Sequence, residues 1–316
     1  MLPIIDISGL RAQDFKQSLT VAQQIHDAFC DTGFLYITGH GVPQDVIDRA
    51  TGEAMGFFQE PQELKNRVAV SRYHRGFNAL GDALMYGASK PDYKEFYQVG
   101  LELSEEDADV IAGQPLRGPN NWPEWRPNFR PAMSRYFDEI AACGQDLLRG
   151  VALSLDLPPD FFVSRYQKPL QRTQAVYYPP HPAEAEDDLF GLSAHSDFGC
   201  ITLLWQDNNG GLEAQTVDGE WIPAPPIEGT LIVNVGDLLE RWSNNRFQST
   251  IHRVMNRSGR ERLSIATFYD PDFNAMVDPT DLGIPANENV MFPPVSAGAH
   301  ILDRIDRSFG YRKKVT

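Results

Sequence analysis

Short apolar runs separated by turn-forming residues fill the second half of this chain, from Gln171 onwards. Most of these runs contain β-branched or aromatic residues, and each has the length of a single strand. The predicted strands are residues 173–178, 199–205, 212–216, 230–235, 249–256 and 262–269. Many short strands at this spacing are typical of a β-sandwich or a jelly roll, so we predict a layered β structure for this half.

The first half of the chain has helical periodicity instead. Apolar residues recur every three or four positions in residues 21–29 and 46–57, and a longer stripe of this kind covers residues 133–155. Residues 34–38 follow a glycine and are predicted to form a short strand. Residues 72–125 contain many glycines, prolines and aromatic residues without a clear period, which predicts long loops. We therefore expect an α+β fold in which helices support a jelly-roll core.

The domain organisation follows from the lack of a linker. A chain of 316 residues, of which 42% are hydrophobic, is long enough for one large domain or two ordinary ones. No Ser/Gly-rich segment separates the helical half from the β-rich half. We therefore expect residues 1–316 to form a single catalytic unit.

The charge and the cysteines restrict the partners and the compartment. The formal net charge of -15 repels phosphate backbones and anionic lipid surfaces, so neither a nucleic acid nor a membrane is expected as a partner. The three cysteines show no CxxC spacing, as expected where thiols stay reduced, and no apolar run approaches the length of a membrane span. These features predict a cytoplasmic protein; they do not indicate its oligomeric state.

A candidate metal site lies in the predicted strands. His195 and Asp197 are two residues apart, and residues two apart on a strand point to the same side. His252 lies on another predicted strand, which a jelly roll can bring alongside. Two histidines and one carboxylate form the facial triad of non-haem iron(II) oxygenases, which leaves positions open for a co-substrate and O2. Taken alone the pattern is weak, because exposed strands carry His and Asp by chance.

A second group of polar residues follows the candidate metal site. Arg262 and Ser264 lie on one face of a predicted strand, where they are suited to binding a carboxylate. Residues 256–260 are turn-forming and predict a hairpin that folds this strand back beside His252. Tyr178, on a separate run, can add a phenolic hydroxyl. An ordinary surface strand with a salt bridge is the alternative, but the neighbouring triad favours a binding site.

Several segments, in order and at matching spacing, resemble one enzyme family. They are PIIDISGL (3–10), GFLYITGHGVP (33–43), FFQEPQELK (57–65), YYPPHP (177–182), GLSAHSDFGCITLL (191–204), VNVGDLLERWSNNRFQSTIHRV (233–254) and ERLSIATFYDP (261–271). The chain is similar over nearly its whole length to the isopenicillin N synthase-like branch of the 2-oxoglutarate and Fe(II)-dependent dioxygenases.

The resemblance implies a specific fold and ligand set. The core is expected to be a distorted double-stranded β-helix in which His195, Asp197 and His252 hold Fe(II). The far carboxylate of the co-substrate 2-oxoglutarate is expected to meet two further strands, at Arg262, Ser264 and Tyr178. By the same resemblance, residues 1–120 form an N-terminal dioxygenase-type region, residues 165–275 the jelly-roll core and residues 276–316 a C-terminal extension.

The resemblance also implies the reaction. Family members use O2 to oxidise a small molecule, most often by hydroxylation, while 2-oxoglutarate is converted to succinate and CO2. The alternative is an iron(II) oxidase of the isopenicillin N synthase or aminocyclopropane-carboxylate oxidase type, which has the same Arg-x-Ser pair but does not use 2-oxoglutarate. Many plant members carry Asn before the paired tyrosines, where this chain has Val176, and this costs one polar contact to the co-substrate.

The substrate is not defined by the sequence. Phe198 and Phe268, which follow the metal and co-substrate motifs, are candidates for lining the substrate cavity, although aromatic residues on a sheet are often core residues. Residues 72–100 resemble the family's substrate-facing region, but the sequence does not separate pocket from scaffold there. The polar and aromatic candidates in that stretch are Arg75, Asn78, Tyr86, Lys94 and Glu95.

Overall fold

The structure is a computed structural model that describes residues 1–12, 14–82, 90–181, 190–284 and 288–308. The helices of the described ranges are α1 (Phe15–Asp31), α2 (Gln44–Phe58), α3 (Gln62–Asn66), α4 (Ala108–Ile111), α5 (Phe129–Ser154), α6 (Asp237–Trp242) and α7 (Ala297–Ser308). The strands are β1 (Ile4–Asp6), β2 (Phe34–Thr38), β3 (Gly76–Asn78), β4 (Glu95–Gly100), β5 (Arg172–Tyr178), β6 (Leu192–His195), β7 (Ile201–Gln206), β8 (Leu212–Gln215), β9 (Trp221–Pro223), β10 (Leu231–Val235), β11 (His252–Val254), β12 (Arg262–Tyr269), β13 (Met276–Val277) and β14 (Val295–Ser296).

The long helices form where the apolar stripes predict them. In α1 the Asp14 carboxylate caps the helix by accepting a 2.9 Å hydrogen bond from the backbone N–H of Lys16. The chain leaves this helix at Gly33, whose φ of 64° is left-handed. The buried face of α1 includes Ile25 and Phe29, and it packs against α5, the longest helix described. The helices therefore form a supporting layer, as predicted.

An eight-stranded sheet forms the larger β layer, in the order β1-β2-β10-β7-β12-β5-β4-β3. Its neighbouring strands are antiparallel except for β1 and β2. Strands β5 and β12 pair along their length, from Arg262 opposite Tyr178 to Phe268 opposite Arg172. Because side chains alternate along a strand, every second residue of this pair faces the same side. That side is the floor of the main cavity.

A four-stranded sheet, in the order β6-β11-β8-β9, covers this floor. The cavity lies between the two sheets, with Leu192, Leu212 and Val254 of the smaller sheet among its lining residues. Val176 and Ala266 line it from the larger sheet. Two largely antiparallel layers around a central cavity, together with the helices, confirm the predicted jelly-roll core with supporting helices.

Residues 72–125 are more regular than predicted. They contain β3 and β4, which extend the larger sheet beyond β5. All six residues of β4 are buried, and Glu95 at its start forms a 2.7 Å ion pair with Lys65. A strand buried on both faces has no alternation of polar and apolar residues, so the period on which the prediction depended is absent.

The predicted hairpin at residues 256–260 is wrong. Strand β11 pairs with β6 and β8, whereas β12 pairs with β5 and β7, so the segment crosses from the smaller sheet to the larger one. The Asn256 side-chain amide holds the crossing by donating to the carbonyl oxygens of Pro179 (3.1 Å) and Arg260 (2.8 Å). Turn-forming residues indicate where a chain changes direction, but they do not determine which strand it pairs with next.

Helices α6 and α7 were not predicted. Helix α6 has six residues and follows β10 directly, and α7 buries Ile301 and Ile305 near the end of the described chain. In the described ranges, no helix combines the length and the apolar composition that a membrane crossing requires. Helix α6 matters for the site because it begins beside the candidate metal residues.

Candidate metal and co-substrate site

The three candidate metal residues converge between the two sheets. His195 ends β6 and His252 begins β11, and the two lie directly opposite each other in the antiparallel pair. One oxygen of Asp197, Oδ1, is 3.6 Å from His195 Nε2 and 3.7 Å from His252 Nε2. One potential ligand atom from each residue lies within 4.8 Å of the others. This is the cluster that the sequence predicts.

Asp197 reaches the cluster in a different way from the one predicted. Strand β6 ends at His195, so Asp197 lies in the loop after it and does not share a strand face with His195. The loop is held by the start of α6, where the backbone N–H of Asp237 donates a 2.7 Å bond to the Asp197 carbonyl oxygen. The loop also passes very close to its neighbours: a Cβ on Gly199 would lie 1.7 Å from Asp270 Oδ1. Glycine is therefore required at position 199.

Hydrogen bonds orient each of the three side chains. His195 Nδ1 lies 2.8 Å from the Ser193 carbonyl oxygen, and His252 Nδ1 lies 3.1 Å from the Thr250 carbonyl oxygen. A carbonyl oxygen only accepts, so each Nδ1 carries the proton and each Nε2 presents its lone pair to the cluster. The histidines are thus set in the tautomer that binds a metal through Nε2.

The second oxygen of Asp197 is held by the larger sheet. Thr202 Oγ1 on β7 donates a 2.6 Å bond to Asp197 Oδ2, and Asn234 Nδ2 on β10 donates a 2.7 Å bond to the same oxygen. These contacts leave Oδ1 directed toward the histidines. Thr202 and Asn234 were not identified from the sequence, because each lies in an apolar strand without a motif of its own.

The protonation states of the cluster suit a metal cation. Burial opposes the charge of Asp197, but the imidazoles of His252 and His195 and the bond from Asn234 hold the pKa of this carboxyl well below its ordinary value. Burial and the neighbouring His195 lower the pKa of His252 to about 4. At neutral pH the cluster therefore contains a carboxylate and a neutral imidazole, which are the forms that bind metals.

Arg262 lies at the far end of the cavity floor and is fully buried. It donates to the Gly210 carbonyl oxygen (2.7 Å), to Ser264 Oγ (3.2 Å) and to Gln206 Oε1 (3.1 Å). Within the described ranges, none of its partners is a carboxylate. Among the described residues, this buried positive charge is therefore hydrogen-bonded to neutral groups, an arrangement that favours the binding of an anion.

Tyr178 contacts Arg262 through its ring. The two residues are opposite each other on β5 and β12, and the guanidinium carbon lies 4.7 Å from the ring centroid. This is a cation–π distance, so the ring supports the guanidinium from one side. The sequence predicts a contribution from the Tyr178 hydroxyl, whereas Tyr178 contacts Arg262 through its ring face.

The cavity wall contains both aromatic candidates. Phe198 and Phe268 line it, as do Lys94 and Phe96 from the predicted substrate-facing region. Lys94 forms an ion pair with the buried Asp92, with 3.2 Å between Nζ and Oδ2. The lining also includes two polar residues that sequence reasoning missed, Arg172 and Gln174. Counting back in steps of two from Tyr178 along its strand identifies both, and this signal was available in the sequence.

Three of the other candidates from residues 72–100 are described by the structure and do not line the cavity. Glu95 is paired with Lys65, Asn78 is buried in β3, and Arg75 donates to the Leu116 carbonyl oxygen at 3.1 Å. These three residues support the scaffold. Tyr86 lies outside the described residues.

The donor set fits a divalent iron. Two imidazole nitrogens and one carboxylate oxygen on a common side match the two-His-one-carboxylate arrangement. In combination with the jelly-roll core, these residues define a non-haem iron(II) oxygenase.

Comparison with known proteins identifies the family. The model of the 2OG-Fe(II) oxygenase superfamily matches residues 160–271, and the model named non-haem dioxygenase in morphine synthesis N-terminal matches residues 2–125. A 2-oxoglutarate-Fe(II) type oxidoreductase of Emericella nidulans is 32% identical over 99% of this chain and 93% of its own length. A homoarginine-6-hydroxylase of Oryza sativa subsp. japonica is 32% identical over 98% of this chain and 97% of its own.

A solved structure agrees with these relatives. A full-length protein of Neurospora crassa, crystallised in complex with alpha-KG and thymine, superposes with a TM-score of 0.85 at 27% identity. The superposition covers 96% of this chain and 96% of that one. The chain belongs to the 2OG-Fe(II) oxygenase superfamily. It is an oxidoreductase that uses Fe(II) and 2-oxoglutarate, and the main functional prediction is confirmed.

Proposed function

We propose that this chain hydroxylates a small organic molecule, using O2 and converting 2-oxoglutarate to succinate and CO2. The observation that carries the proposal is one cavity with the His-Asp-His cluster in one part and, in another, a buried arginine that has no carboxylate partner among the described residues. In this proposal His195, Asp197 and His252 hold Fe(II), and Arg262 with Ser264 receives the co-substrate. The bound iron, with 2-oxoglutarate and O2, supplies the oxidising power.

The proposed role of Arg262 follows from charge. A buried guanidinium surrounded by neutral acceptors costs free energy, and a dicarboxylate whose distal end meets it supplies the missing negative charge. The planar guanidinium donates two parallel hydrogen bonds to a carboxylate, and Ser264 Oγ, 3.2 Å from Arg262 Nη1, is placed to add a third. Tyr178 holds the guanidinium in position through its ring.

The remaining task of the protein is to orient the substrate and exclude water. The apolar side chains of Phe198, Phe268 and Phe96 line the cavity and keep water away from the reacting centre. We propose Phe198 and Phe268 as substrate contacts on this basis. The rice relative is named for homoarginine and the Neurospora crassa structure contains thymine, so the proposed substrate is likewise a small molecule and not a polymer.

We also propose that residues 1–316 act as one catalytic unit in the cytoplasm, without nucleic-acid or membrane partners. Residues 1–120 supply β1 to β4 of the larger sheet, and residues 165–275 supply its other strands and the smaller sheet. This sharing of one sheet supports a single unit. We propose residues 276–316 as a C-terminal extension. The net charge of -15 and the three free cysteines support the expected partners and compartment.

Two measurements test the proposed function. Anaerobic addition of Fe(II) and 2-oxoglutarate to the purified protein is expected to produce a weak visible charge-transfer band, and metal-loaded protein that shows no change with 2-oxoglutarate would contradict the proposal. Screening candidate metabolites for coupled succinate formation then identifies the substrate. Consumption of O2 with a substrate but without succinate would instead indicate an iron(II) oxidase.

A further inference from the structure

The cavity floor has an arginine at each end. On β5 the residues facing the cavity are Arg172, Gln174, Val176 and Tyr178, and on β12 they are Arg262, Ser264, Ala266 and Phe268. Arg262 is opposite Tyr178 at one end of the strand pair, and Arg172 is opposite Phe268 at the other end, six residues away on each strand. The proposed function uses only one of these arginines, and the other has no assigned role.

Arg172 lies at the end of the floor nearer the anchored metal carboxylate. Its cross-strand partner Phe268 is also opposite Thr202 on β7, and Thr202 donates the hydrogen bond to Asp197. Arg172, Phe268 and Thr202 therefore form one row across three strands. A group held by Arg172 is thus on the metal side of the cavity, at the opposite end of the strand pair from Arg262.

Arg172 is buried but is only partly satisfied by the protein. Its residue is 4% exposed, and Nη2 donates a 2.9 Å bond to Asp270 Oδ2. Its buried Nε has no hydrogen-bond partner, and in the described ranges the bond to Asp270 is the only one it makes, although a guanidinium has five N–H donors. Other arginines of this protein also have a buried Nε without a partner among the described residues, but Arg172 combines its unused donors with a position in the cavity wall, where a bound acceptor can reach them.

Asp270 fixes the guanidinium in place. Its Oδ1 accepts a 2.8 Å bond from the backbone N–H of Cys200, while Oδ2 binds Arg172. The Arg172 guanidinium carbon also lies 4.9 Å from the Phe268 ring centroid. The side chain is therefore held rigidly in a neutral ion pair, and this preorganisation lowers the entropy cost of binding a ligand.

We propose that Arg172 anchors the primary substrate by donating hydrogen bonds to a carbonyl or carboxylate oxygen. This inference rests on the proposed function and names the substrate class: a small molecule that carries such an oxygen next to an apolar or aromatic body, which packs against Phe198 and Phe268. Because Asp270 already balances the charge of Arg172, the site accepts a neutral carbonyl as well as a carboxylate. The two sources are distinguished by the test.

Arg117 is a buried arginine that, like Arg172, has an Nε without a partner among the described residues, but it lies away from the cavity. Arg117 is 2% exposed and donates through both terminal nitrogens to the backbone carbonyl oxygens of Lys168 and Pro169. It does not line the cavity. Arg117 is thus a matched control for Arg172, since both are buried arginines with such an Nε but only Arg172 lines the cavity.

The test uses the full chain loaded anaerobically with Fe(II) and saturating 2-oxoglutarate. The probes are benzoate with benzamide and phenylacetate with phenylacetamide, so that each pair differs in charge but keeps the acceptor oxygen. Calorimetry measures their affinity, and a change in the visible band of the iron and 2-oxoglutarate complex shows that they bind beside the metal. Failure of the band to form would contradict the proposed function itself, whereas the outcomes below concern Arg172.

Two variants avoid leaving the buried Asp270 carboxylate without a positively charged partner. Arg172→Lys keeps a positive charge beside Asp270 but loses the planar pair of donors, and the double variant Arg172→Gln/Asp270→Asn removes both charges together. We expect the double variant to lower probe affinity by roughly 10- to 150-fold, the equivalent of a hydrogen bond to a charged donor, while the visible band persists. Arg117→Lys is expected to bind the probes like the parent protein.

Which probes lose affinity in the variants shows whether Arg172 binds a carboxylate or a neutral carbonyl oxygen. Loss confined to the acids supports a carboxylate substrate, and loss for acids and amides alike supports a carbonyl acceptor. Probes that bind the parent and the Arg172 variants equally would overturn the proposal, as would the absence of binding by all four probes to the parent protein. Displacement of 2-oxoglutarate, seen as loss of the band, would place the probes at Arg262 and would also count against it.

Discussion

Thr202 Oγ1 donates a 2.6 Å hydrogen bond to Asp197 Oδ2, the carboxylate oxygen that is not directed at the histidines. This bond crosses from the larger sheet to the loop that follows the smaller one. It fixes the rotation of the carboxylate, so that Oδ1 is presented to the metal before the metal arrives.

Removing this hydroxyl is expected to weaken iron binding. Thr202→Val keeps the shape of the side chain but leaves Asp197 Oδ2 with the bond from Asn234 alone, and loss of such a supporting bond typically costs roughly 10- to 100-fold in metal affinity. Anaerobic titration with Fe(II) measures the change. Thr267→Val is the control, because Thr267 is a buried threonine that bonds Thr173 away from the site. Equal affinity in both variants would show that Thr202 does not position the ligand.

Arg262→Gln is expected to separate co-substrate binding from metal binding. It removes the buried positive charge, so the apparent affinity for 2-oxoglutarate should fall by roughly 10- to 150-fold, while Fe(II) affinity without co-substrate should change little. Ser264→Ala removes a single neutral contact, and we expect a smaller effect of about fivefold. Titration of the visible band with 2-oxoglutarate measures both. Parallel losses of iron and 2-oxoglutarate affinity would indicate a damaged fold instead of a lost contact.

Gly199→Ala is expected to destroy the metal loop. The added Cβ would lie 1.7 Å from Asp270 Oδ1, so either the loop or the Arg172 ion pair must move. We expect a loss of roughly 3 kcal/mol or more in the free energy of unfolding, measured by urea denaturation, together with loss of iron binding. Gly52→Ala is the matched control, because a Cβ there meets nothing within 4 Å in α2. The free energy of unfolding of that variant should rise by about 0.5–1 kcal/mol, because alanine loses less conformational entropy than glycine when the helix forms.

His300 gives the protein a pH-dependent stability. Burial, followed by the nearby Arg304 and Arg241, lowers the pKa of this imidazole, with Asp237 and Asp303 opposing the shift. Its folded pKa is below its unfolded value, so the unfolded chain takes up the proton first. Stability from this group is complete above about pH 6.5 and falls as the pH drops toward the folded pKa.

The measurement for His300 is the free energy of unfolding at several pH values. His300→Gln should remove this part of the slope between neutral and acidic pH, and the difference between parent and variant isolates it from other groups. If the two proteins lose stability in parallel as the pH falls, His300 does not contribute.

The strands that carry the motifs were predictable because their functional residues lie two positions apart, which is also the spacing at which side chains of a strand face the same side. Residues 262–269 were predicted as a strand and form β12 over the same range, and the cavity lies on the face that carries Arg262 and Ser264. Local pattern determines which residues share a face, and that was enough for this half of the site.

Long-range pairing was less accessible from the sequence. Asp197 joins the histidines from a loop whose path depends on α6 and on close packing at Gly199, and neither leaves a periodic signal. The strand β4 is buried on both faces, so alternation does not mark it. Arg172 was overlooked for another reason: it lies on the same face as Tyr178, but no motif draws attention to it.

The division of the site between the two sheets has a consequence for how the molecule assembles. Partners in the site are distant along the chain, such as Asp197 and Asn234, which are 37 residues apart and lie on opposite layers. Contacts of this range form late and slowly in folding, because closing a long loop costs conformational entropy before the contact stabilises the chain. The two histidines meet within the smaller sheet, but Asp197 is held in its ligand position only when the larger sheet supplies Thr202 and Asn234. Tight iron binding is therefore expected only after the two sheets have packed together, so a partly folded chain does not hold a reactive metal.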